Sequence, residues 1–256
     1  MKYKIKNKKM KLSTEVLLAI IPPILILVLW EVLGKKGVIN ASILPYPSKI
    51  YRAFILQTSS GKLQANFFAS IGRIVKGFII GSFLGMLLGL IMGLVPIFDK
   101  ILSVLFAILR PMPIIALIPF FILWLGIGEE SKVAIIILCS FWPVLLNTTL
   151  GIKSVDVKLL EVAQIQQKGY IDTVFKIIIP SALPVMINGI RLAAGGSLMG
   201  VVTAEMIAAS RGLGYMIMFA RELSQADVML VGVITIGLLG LILDKVFVTI
   251  VNRLMN

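Results

Sequence analysis

Long runs of apolar residues recur along the whole chain and leave few folds open to it. Segments such as LLAIIPPILILVLW carry no charge and do not alternate between apolar and polar residues. Apolar runs of about 20 residues are long enough to cross a bilayer as helices, whereas the strands of a membrane barrel alternate. The chain is 59% hydrophobic and only 14% charged, outside the usual composition of soluble domains. The sequence therefore predicts an all-α polytopic membrane protein.

We expect about six transmembrane helices, at roughly 16–33, 69–95, 101–125, 132–150, 186–208 and 228–250. The basic N-terminal tail MKYKIKNKKMK places the start of the chain in the cytoplasm by the positive-inside rule. The first apolar segment is long and is followed by Glu31 and GKKG rather than by a small-residue cleavage site, so we expect an uncleaved span. The predicted organisation is a cytoplasmic tail 1–15, a first span 16–33, an external amphipathic segment 34–66, and a five-helix core 67–251 with a cytoplasmic loop 153–182.

The external segment 34–66 departs from the charge rule for membrane topology. Its apolar residues Ile50, Phe54 and Ile55 have the spacing of a short amphipathic helix at the interface. A structural role for this helix is favoured over contact with substrate. The segment nevertheless carries cations on the predicted outer side, where they are usually depleted; these are Lys35, Lys36, Lys49, Arg52 and Lys62.

Composition excludes several classes of function. The net charge of +13 lies in the tail and loops rather than in a basic stripe with interleaved aromatics, so no nucleic-acid partner is expected. With no histidine and Cys139 as the single cysteine, no disulfide, metal site or cofactor is expected. The chain has no GxxxxGK[ST] phosphate loop, so we expect a membrane subunit that is not itself an enzyme.

The second span contains glycines at intervals of four residues. This spacing places them along one stripe of a helix, where small residues let a neighbouring helix approach closely. Tight helix packing is the favoured interpretation, and sliding during gating is the alternative. The glycines are Gly77, Gly81, Gly85, Gly89 and Gly93.

Prolines and polar residues inside the spans indicate candidates for a translocation path. The third span contains RPMPIIALIP, and proline leaves backbone carbonyl groups without a hydrogen-bond donor. Such groups are tolerated in a bilayer only where they are buried in protein or line a wet cavity. A kinked packing helix with a snorkelling Arg110 is an equal alternative. For Glu205, a buried pair or cap, for instance with Arg211, is the alternative to a functional role. The candidate path residues are Arg110, Met112, Pro113, Asn147, Ser197, Met199 and Glu205.

The stretch 161–184, EVAQIQQKGYIDTVFKIIIPSALP, is a polar, helix-forming block between two apolar spans. We expect one short helix over Lys158–Lys168 and a second over Ile171–Ile178, with a turn near Gly169. Proline is tolerated in the first turn of a helix, so Pro180 and Pro184 are expected to begin the fifth span. A partnerless cytoplasmic loop is the alternative to a docking surface.

This block resembles the EAA loop of ATP-binding-cassette importer permeases, on which the motor ATPase docks. Val162 stands where the family has its first Ala, Ile179 where it has Leu, and Gln167 where it has Gly; Gly169 is expected to take over the turn. Further segments, including LPYPSKI, SIGRIVKGFIIGSFLG, LRPMPIIALIPFFILWLG and GVVTAEMIAASRGLGYMI, are similar to permeases of the nitrate/sulfonate/taurine type and to relatives importing thiamine precursors or riboflavin. The coupling residues implied are Glu161, Ala163, Gln167, Gly169, Ile177 and Pro180.

The resemblance implies a type I importer permease fold and an ATP-driven importer of a small solute, such as a sulfonate, taurine, nitrate or a vitamin precursor. It also implies three protein partners: an ATPase subunit, an extracytoplasmic substrate-binding protein and a second copy of the chain in a homodimer. The expected location is the bacterial cell membrane, in contact with lipids, with both termini cytoplasmic. The competing class is a self-contained secondary transporter or channel, and a membrane scaffold is weaker still.

Overall fold

A computed structural model describes residues 12–255, and within them the chain is built of helices without a β-strand. The tail predicted over 1–15 lies largely outside the described residues. The helices are α1 (Leu12–Lys35), α2 (Pro47–Ser59), α3 (Lys62–Leu94), α4 (Pro96–Leu109), α5 (Ile114–Leu125), α6 (Glu129–Lys153), α7 (Val157–Ile165), α8 (Tyr170–Thr173), α9 (Ile179–Ala208), α10 (Leu213–Glu222) and α11 (Ala226–Met255).

The expectation of six spans is not confirmed. In the described part of the chain, four helical stretches are long and apolar enough to cross a membrane: Lys62–Leu94, Glu129–Lys153, Tyr170–Ala208 and Ala226–Thr249. The bent pair α4–α5 makes up to five if it is counted as one span. The first predicted span lies within α1, but the side chains of its opening turns fall outside the described residues.

The third predicted span is broken in two at Arg110–Pro113. Helices α4 and α5 meet at 99° instead of forming one kinked rod. Pro111 and Pro113 have no backbone N–H to continue the hydrogen-bond ladder; Arg110 is still helical, whereas Pro113 is extended, at φ −62° and ψ 121°. With 14 and 12 residues, the two pieces are each shorter than the ~30 Å hydrocarbon core at 1.5 Å per residue.

The centre of the fold is a three-helix layer in which α6 lies between α3 and α9. On one side the glycines of α3 face α6: a Cβ at Gly85 would lie 2.6 Å from the Phe141 carbonyl oxygen. A Cβ at Gly89 would lie 2.7 Å from the Thr148 Cβ. On the other side Gly196 of α9 faces the Cys139 carbonyl. Because glycine has no side chain, the backbones approach closely and gain dispersion contacts.

Helix α2 is the short amphipathic helix expected within residues 34–66. Ile50 and Ala53 are buried within the cluster that includes α11 residues, while Phe54 and Ile55 remain exposed. The helix is tied to α1 by Ser48, whose Oγ donates to Glu31 Oε1 at 2.7 Å. The short helix α10, between the last two spans, was not expected from the sequence.

Candidate functional site

The α7 segment begins and ends with local capping interactions. At its start the Asp156 carboxylate accepts a hydrogen bond from the Lys158 backbone N–H at 2.9 Å, which satisfies one free donor of the first turn. At its end Lys168 N–H donates to the Ala163 carbonyl at 3.1 Å. The reversal between them places Gln167 in the left-handed region, at φ 52°.

The expectation that Gly169 takes over the turn is wrong. Gly169 has φ −64° and ψ 158° and precedes α8 as an ordinary extended cap. The left-handed residue is Gln167, at the position where the related loops have Gly. The Lys168 N–H donates to the Ala163 carbonyl and the Gln167 N–H to the Gln164 carbonyl. These two backbone hydrogen bonds fix the turn at Gln167. A non-glycine residue therefore occupies a conformation that costs about 1–2 kcal/mol for residues with a Cβ.

The helix α7 is anchored by one small residue and presents the rest of its surface to solvent. Ala163 is 1% exposed, whereas Glu161 beside it is exposed. Apolar side chains on α7 and α8 and just beyond them are left uncovered. They are Val157, Leu159, Val162, Ile165, Tyr170, Ile171 and Phe175.

The connection from this surface into the membrane is a continuous helix. The helix runs from Tyr170 to Ala208, and residues Val174–Ile178 form a π-helical stretch within it. The second short helix expected over Ile171–Ile178 is therefore part of the fifth span, and Pro180 and Pro184 do not begin that span. The wider π turn directly before Pro180 accommodates a residue that has no N–H to donate.

The first turns of this long helix pack against the three-helix layer. Ile178 packs on a cluster of Ile152, Ala182 and Met186, and Ile177 is half-buried beside it. A Cβ at Gly151 would lie 3.0 Å from the Ala182 carbonyl oxygen. The stretch around α8 is thus joined to α9 by packed side chains and continuous helix rather than by a flexible linker.

A buried ionic cluster joins α3, α6 and α9 at the opposite end of the molecule. Arg73 Nη1 lies 2.7 Å from Glu205 Oε1, and both side chains are almost entirely buried. Arg73 also forms a bidentate pair with Glu129, with both distances at 2.7 Å. Lys132 adds a contact to Glu129 at 3.0 Å. Two cations and two anions balance one another, which is the condition under which buried charges are tolerated.

The same cluster holds the loop that precedes α10. Gly212 N–H donates to Asn66 Oδ1, Leu213 N–H to Ser70 Oγ and Gly214 N–H to Glu205 Oε2, at 2.8, 2.8 and 2.9 Å. Arg73 Nη1 donates to the Arg211 carbonyl at 2.6 Å. The alternative in which Glu205 pairs with Arg211 needs correction: the partner is Arg73, and Arg211 contributes only its backbone oxygen. Sequence reasoning gave Arg73 no role, although Asn66, Ser70 and Arg73 lie four and three residues apart on one helix face.

The candidate path residues do not all share one environment. Arg110, Met112 and Pro113 lie in the exposed break between α4 and α5, and Met199 is exposed on α9. The remaining three are enclosed between helices. Asn147 is half-buried with its amide on the Pro143 carbonyl, Ser197 is buried with its hydroxyl on the Ala194 carbonyl, and Glu205 lies in the ionic cluster.

At the other end of the molecule, two ion pairs link further helices. Arg191 of α9 binds Asp244 of α11 through two contacts of 2.7 and 3.0 Å. Lys153 at the end of α6 lies 2.6 Å from Asp99 at the start of α4. The Arg191–Asp244 pair is half exposed and Lys153 nearly so, and exposed ion pairs of this kind contribute little to stability.

Comparison with known proteins places this architecture in a family. Residues 85–256 match the family described as the binding-protein-dependent transport system inner membrane component. The chain is 38% identical over 231 residues to the putative aliphatic sulfonates transport permease protein SsuC of Bacillus subtilis, covering 90% of this chain and 83% of that one.

Two further relatives are named for different solutes. The taurine transport system permease protein TauC of Escherichia coli is 30% identical over 238 residues, 91% of this chain and 86% of its own. The bicarbonate transport system permease protein CmpB of Synechocystis is 30% identical over 242 residues, 88% and 85%. The match spans nearly the whole of each protein, including the helical layer and the loop described above. The chain therefore belongs to the inner membrane components of binding-protein-dependent transport systems, and it is a multi-pass permease subunit of the ATP-binding-cassette importer type.

Proposed function

We propose that this permease imports a small solute with energy from a separate ATPase that docks on α7 and α8. The observation that carries the proposal is the uncovered apolar surface of this loop, which includes Val162, Ile165 and Tyr170. An exposed apolar set on a short polar helix is typical of a surface that a partner covers. Glu161, exposed beside it, is suited to pair with a basic group at the rim of the partner's groove.

The transmission of force follows from the continuity of the helix beyond the docking surface. Movement of the ATPase surfaces would tilt α8 and the π-helical stretch, and the packed contact of Ile178 would carry the tilt into α9. Coupling residues Ala163, Gln167 and Pro180 act here through geometry: Ala163 anchors α7, Gln167 sets the turn and Pro180 fixes the helix behind the π stretch.

The proposed assembly contains two copies of this chain, two ATPase subunits and an extracytoplasmic solute-binding protein. Both termini and the α7–α8 loop would face the cytoplasm, which agrees with Lys153, Lys158, Lys168 and Lys176 near that loop. The relatives named above transport sulfonates, taurine and bicarbonate. We propose a small solute carrying an anionic group as the cargo of this chain.

The translocation path is proposed to run along the break between α4 and α5 and the facing side of α9. Met112 and Met199 are exposed there. The backbone groups at Pro111–Pro113 that lack helical hydrogen bonds require water or protein around them. Ser197 and Glu205 would join the path only when the helices around them separate.

The test is retention of the ATPase by the purified permease. Replacing Ile165 and Ile171 together by Asp puts two charges on the apolar surface without disturbing a buried side chain. The ATPase should then be lost while membrane insertion continues. The matched control is Val38→Asp with Ile43→Asp, which are similarly exposed in the segment before α2. Full retention of the ATPase by the Ile165/Ile171 variant would show that docking lies elsewhere.

A further inference from the structure

Cations of the outer segment, unexpected on that side of the membrane, meet in a recess. Lys49 and Arg52 of α2 and Lys62 at the first residue of α3 line a cavity of about 430 Å³. The cavity lies where the N-terminal ends of α3 and α11 come together beside α2. Its lining also includes Gln57, Gln225 and Asp227.

The positive charge of this recess is not neutralised within the described part of the chain. Lys35 of the same segment has an ion-pair partner, Glu31, at 2.8 Å, but Lys49, Arg52 and Lys62 have none within 4.0 Å among the residues described. The carboxylate of Asp227 accepts a hydrogen bond from the adjacent Val228 backbone N–H at 3.0 Å, and it is the single carboxylate that lines the recess. Three cations against one anion leave the recess net positive.

The position of α2 separates this recess from the lipid. One flank of α2, with Pro47, Tyr51 and Phe54, lines an apolar crevice together with side chains of α11 such as Val231. The basic recess lies on the other flank. An interfacial helix turns its apolar flank to the acyl chains and its basic flank to water, so the recess opens to the aqueous side at the outer ends of α3 and α11.

We propose that this basic recess is a docking point for an acidic surface of the extracytoplasmic solute-binding protein. The inference rests on the proposed function, which supplies both the outward orientation and the partner. Complementary charge accelerates encounter and fixes the register of two proteins. A protein surface fits better than a lipid phosphate, because the lining mixes cations with the carboxylate of Asp227 and the amides of Gln57 and Gln225. Such a lining offers donors and acceptors, and the carboxylate repels an anionic headgroup.

The experiment uses the permease–ATPase complex in nanodiscs of phosphatidylcholine. The probe is the solute-binding protein encoded beside the permease gene, loaded with its solute. The concentration of this protein that gives half-maximal stimulation of ATP hydrolysis is measured at several salt concentrations. Arg52→Glu and Lys62→Glu should each raise it roughly tenfold at low salt and reduce its salt dependence, as expected for lost charge complementarity. ATP hydrolysis without the binding protein should stay unchanged.

The matched control is Lys36→Glu, which makes the same charge change at an exposed residue of the same outer segment but outside the recess. It should shift the half-maximal concentration by less than about twofold. An equal shift for Lys36→Glu, or no shift for Arg52→Glu, overturns the docking site. An Arg52→Glu effect seen only when phosphatidylglycerol is present would identify a lipid-headgroup site instead and also overturn it.

Failure of the proposed function can be distinguished from failure of the docking site. A wild-type permease that retains no ATPase would overturn the importer assignment and the docking site together. If the wild-type complex retains its ATPase and responds to the binding protein, and the recess variants respond equally, only the docking site is overturned. In the positive case, an Asp or Glu changed to Lys on the binding protein's facing surface should restore stimulation of the Arg52→Glu complex.

Discussion

Arg73 in α3 and Glu205 in α9 form a buried ion pair at 2.7 Å, although 132 positions separate them along the chain. The pair fixes two neighbours of α6 to each other at the end of the layer far from α7. It also holds the entry to α10, since Arg73 bonds to the Arg211 carbonyl in the loop and Glu205 accepts from the Gly214 N–H in the first turn of the helix. Neither residue has a water-facing role in this arrangement.

Breaking this pair from one side should be more damaging than removing it altogether. Arg73→Met leaves Glu205 buried without its cation, and we expect a loss of about 3–5 kcal/mol in stability. Arg73→Met combined with Glu205→Met should recover much of this loss. The measurement is the thermal unfolding midpoint in detergent. A double variant no better than the sum of the two single variants would contradict a coupled pair.

The turn after α7 should become more stable when its strained residue is replaced by glycine. Gln167 has φ 52°, so Gln167→Gly is expected to stabilise the permease by about 0.5–1 kcal/mol. Gly169→Ala is the control, because Gly169 has an ordinary φ and open space around it; it should have little effect. Stability and ATPase retention are measured for both. Destabilisation by Gln167→Gly would show that the turn needs the Gln side chain.

Adding a methyl group to the packing face of α3 should separate it from α6. Gly85→Ala would place a Cβ 2.6 Å from a backbone oxygen of α6, and such overpacking costs about 1–3 kcal/mol. Gly72→Ala on the same helix meets no atom within 4 Å and is expected to be neutral or slightly stabilising. Thermal unfolding of the two variants in parallel gives the comparison. Equal midpoints would mean that α3 and α6 do not pack through this face.

Two neighbouring positions on α9 should differ in their access to water. In a Cys139→Ala background, cysteine at Met199 should react with a small charged thiol reagent, because that side chain is 77% exposed and the proposed path places it against water rather than lipid. Cysteine at Ser197, which is buried, should react only when trapping of the ATPase with nucleotide opens the helices. Cysteine at Met112 should label as Met199 does, with exposed Ser210 as the positive control. If Met112 and Met199 stay unreactive in every state while Ser210 labels, the path does not pass along α9.

The sequence alone was sufficient for the fold class, the family and the packing stripe. Apolar run length decides whether a segment can span a bilayer, and a four-residue spacing of glycines places them on one helix face wherever the partner lies. These are local properties, so they are readable without the fold. The same reasoning singled out the block around Glu161 and Ala163 that we propose as the docking surface, because a polar, helix-forming stretch between apolar spans is itself a local signal.

The tertiary structure decided how these elements meet. The partner of Glu205 is Arg73 rather than the nearby Arg211, because helix packing, not distance along the chain, brings charged groups together. The third predicted span breaks at Pro111–Pro113, and the second helix expected in that block merges with α9 through a π turn. Proline disfavours the helix at both places, but the tertiary structure decides whether the helix breaks or absorbs the proline. The left-handed residue is Gln167 and not Gly169. Backbone hydrogen bonds at the end of α7 fix the position of the turn, and they outweigh the preference of glycine for the left-handed conformation.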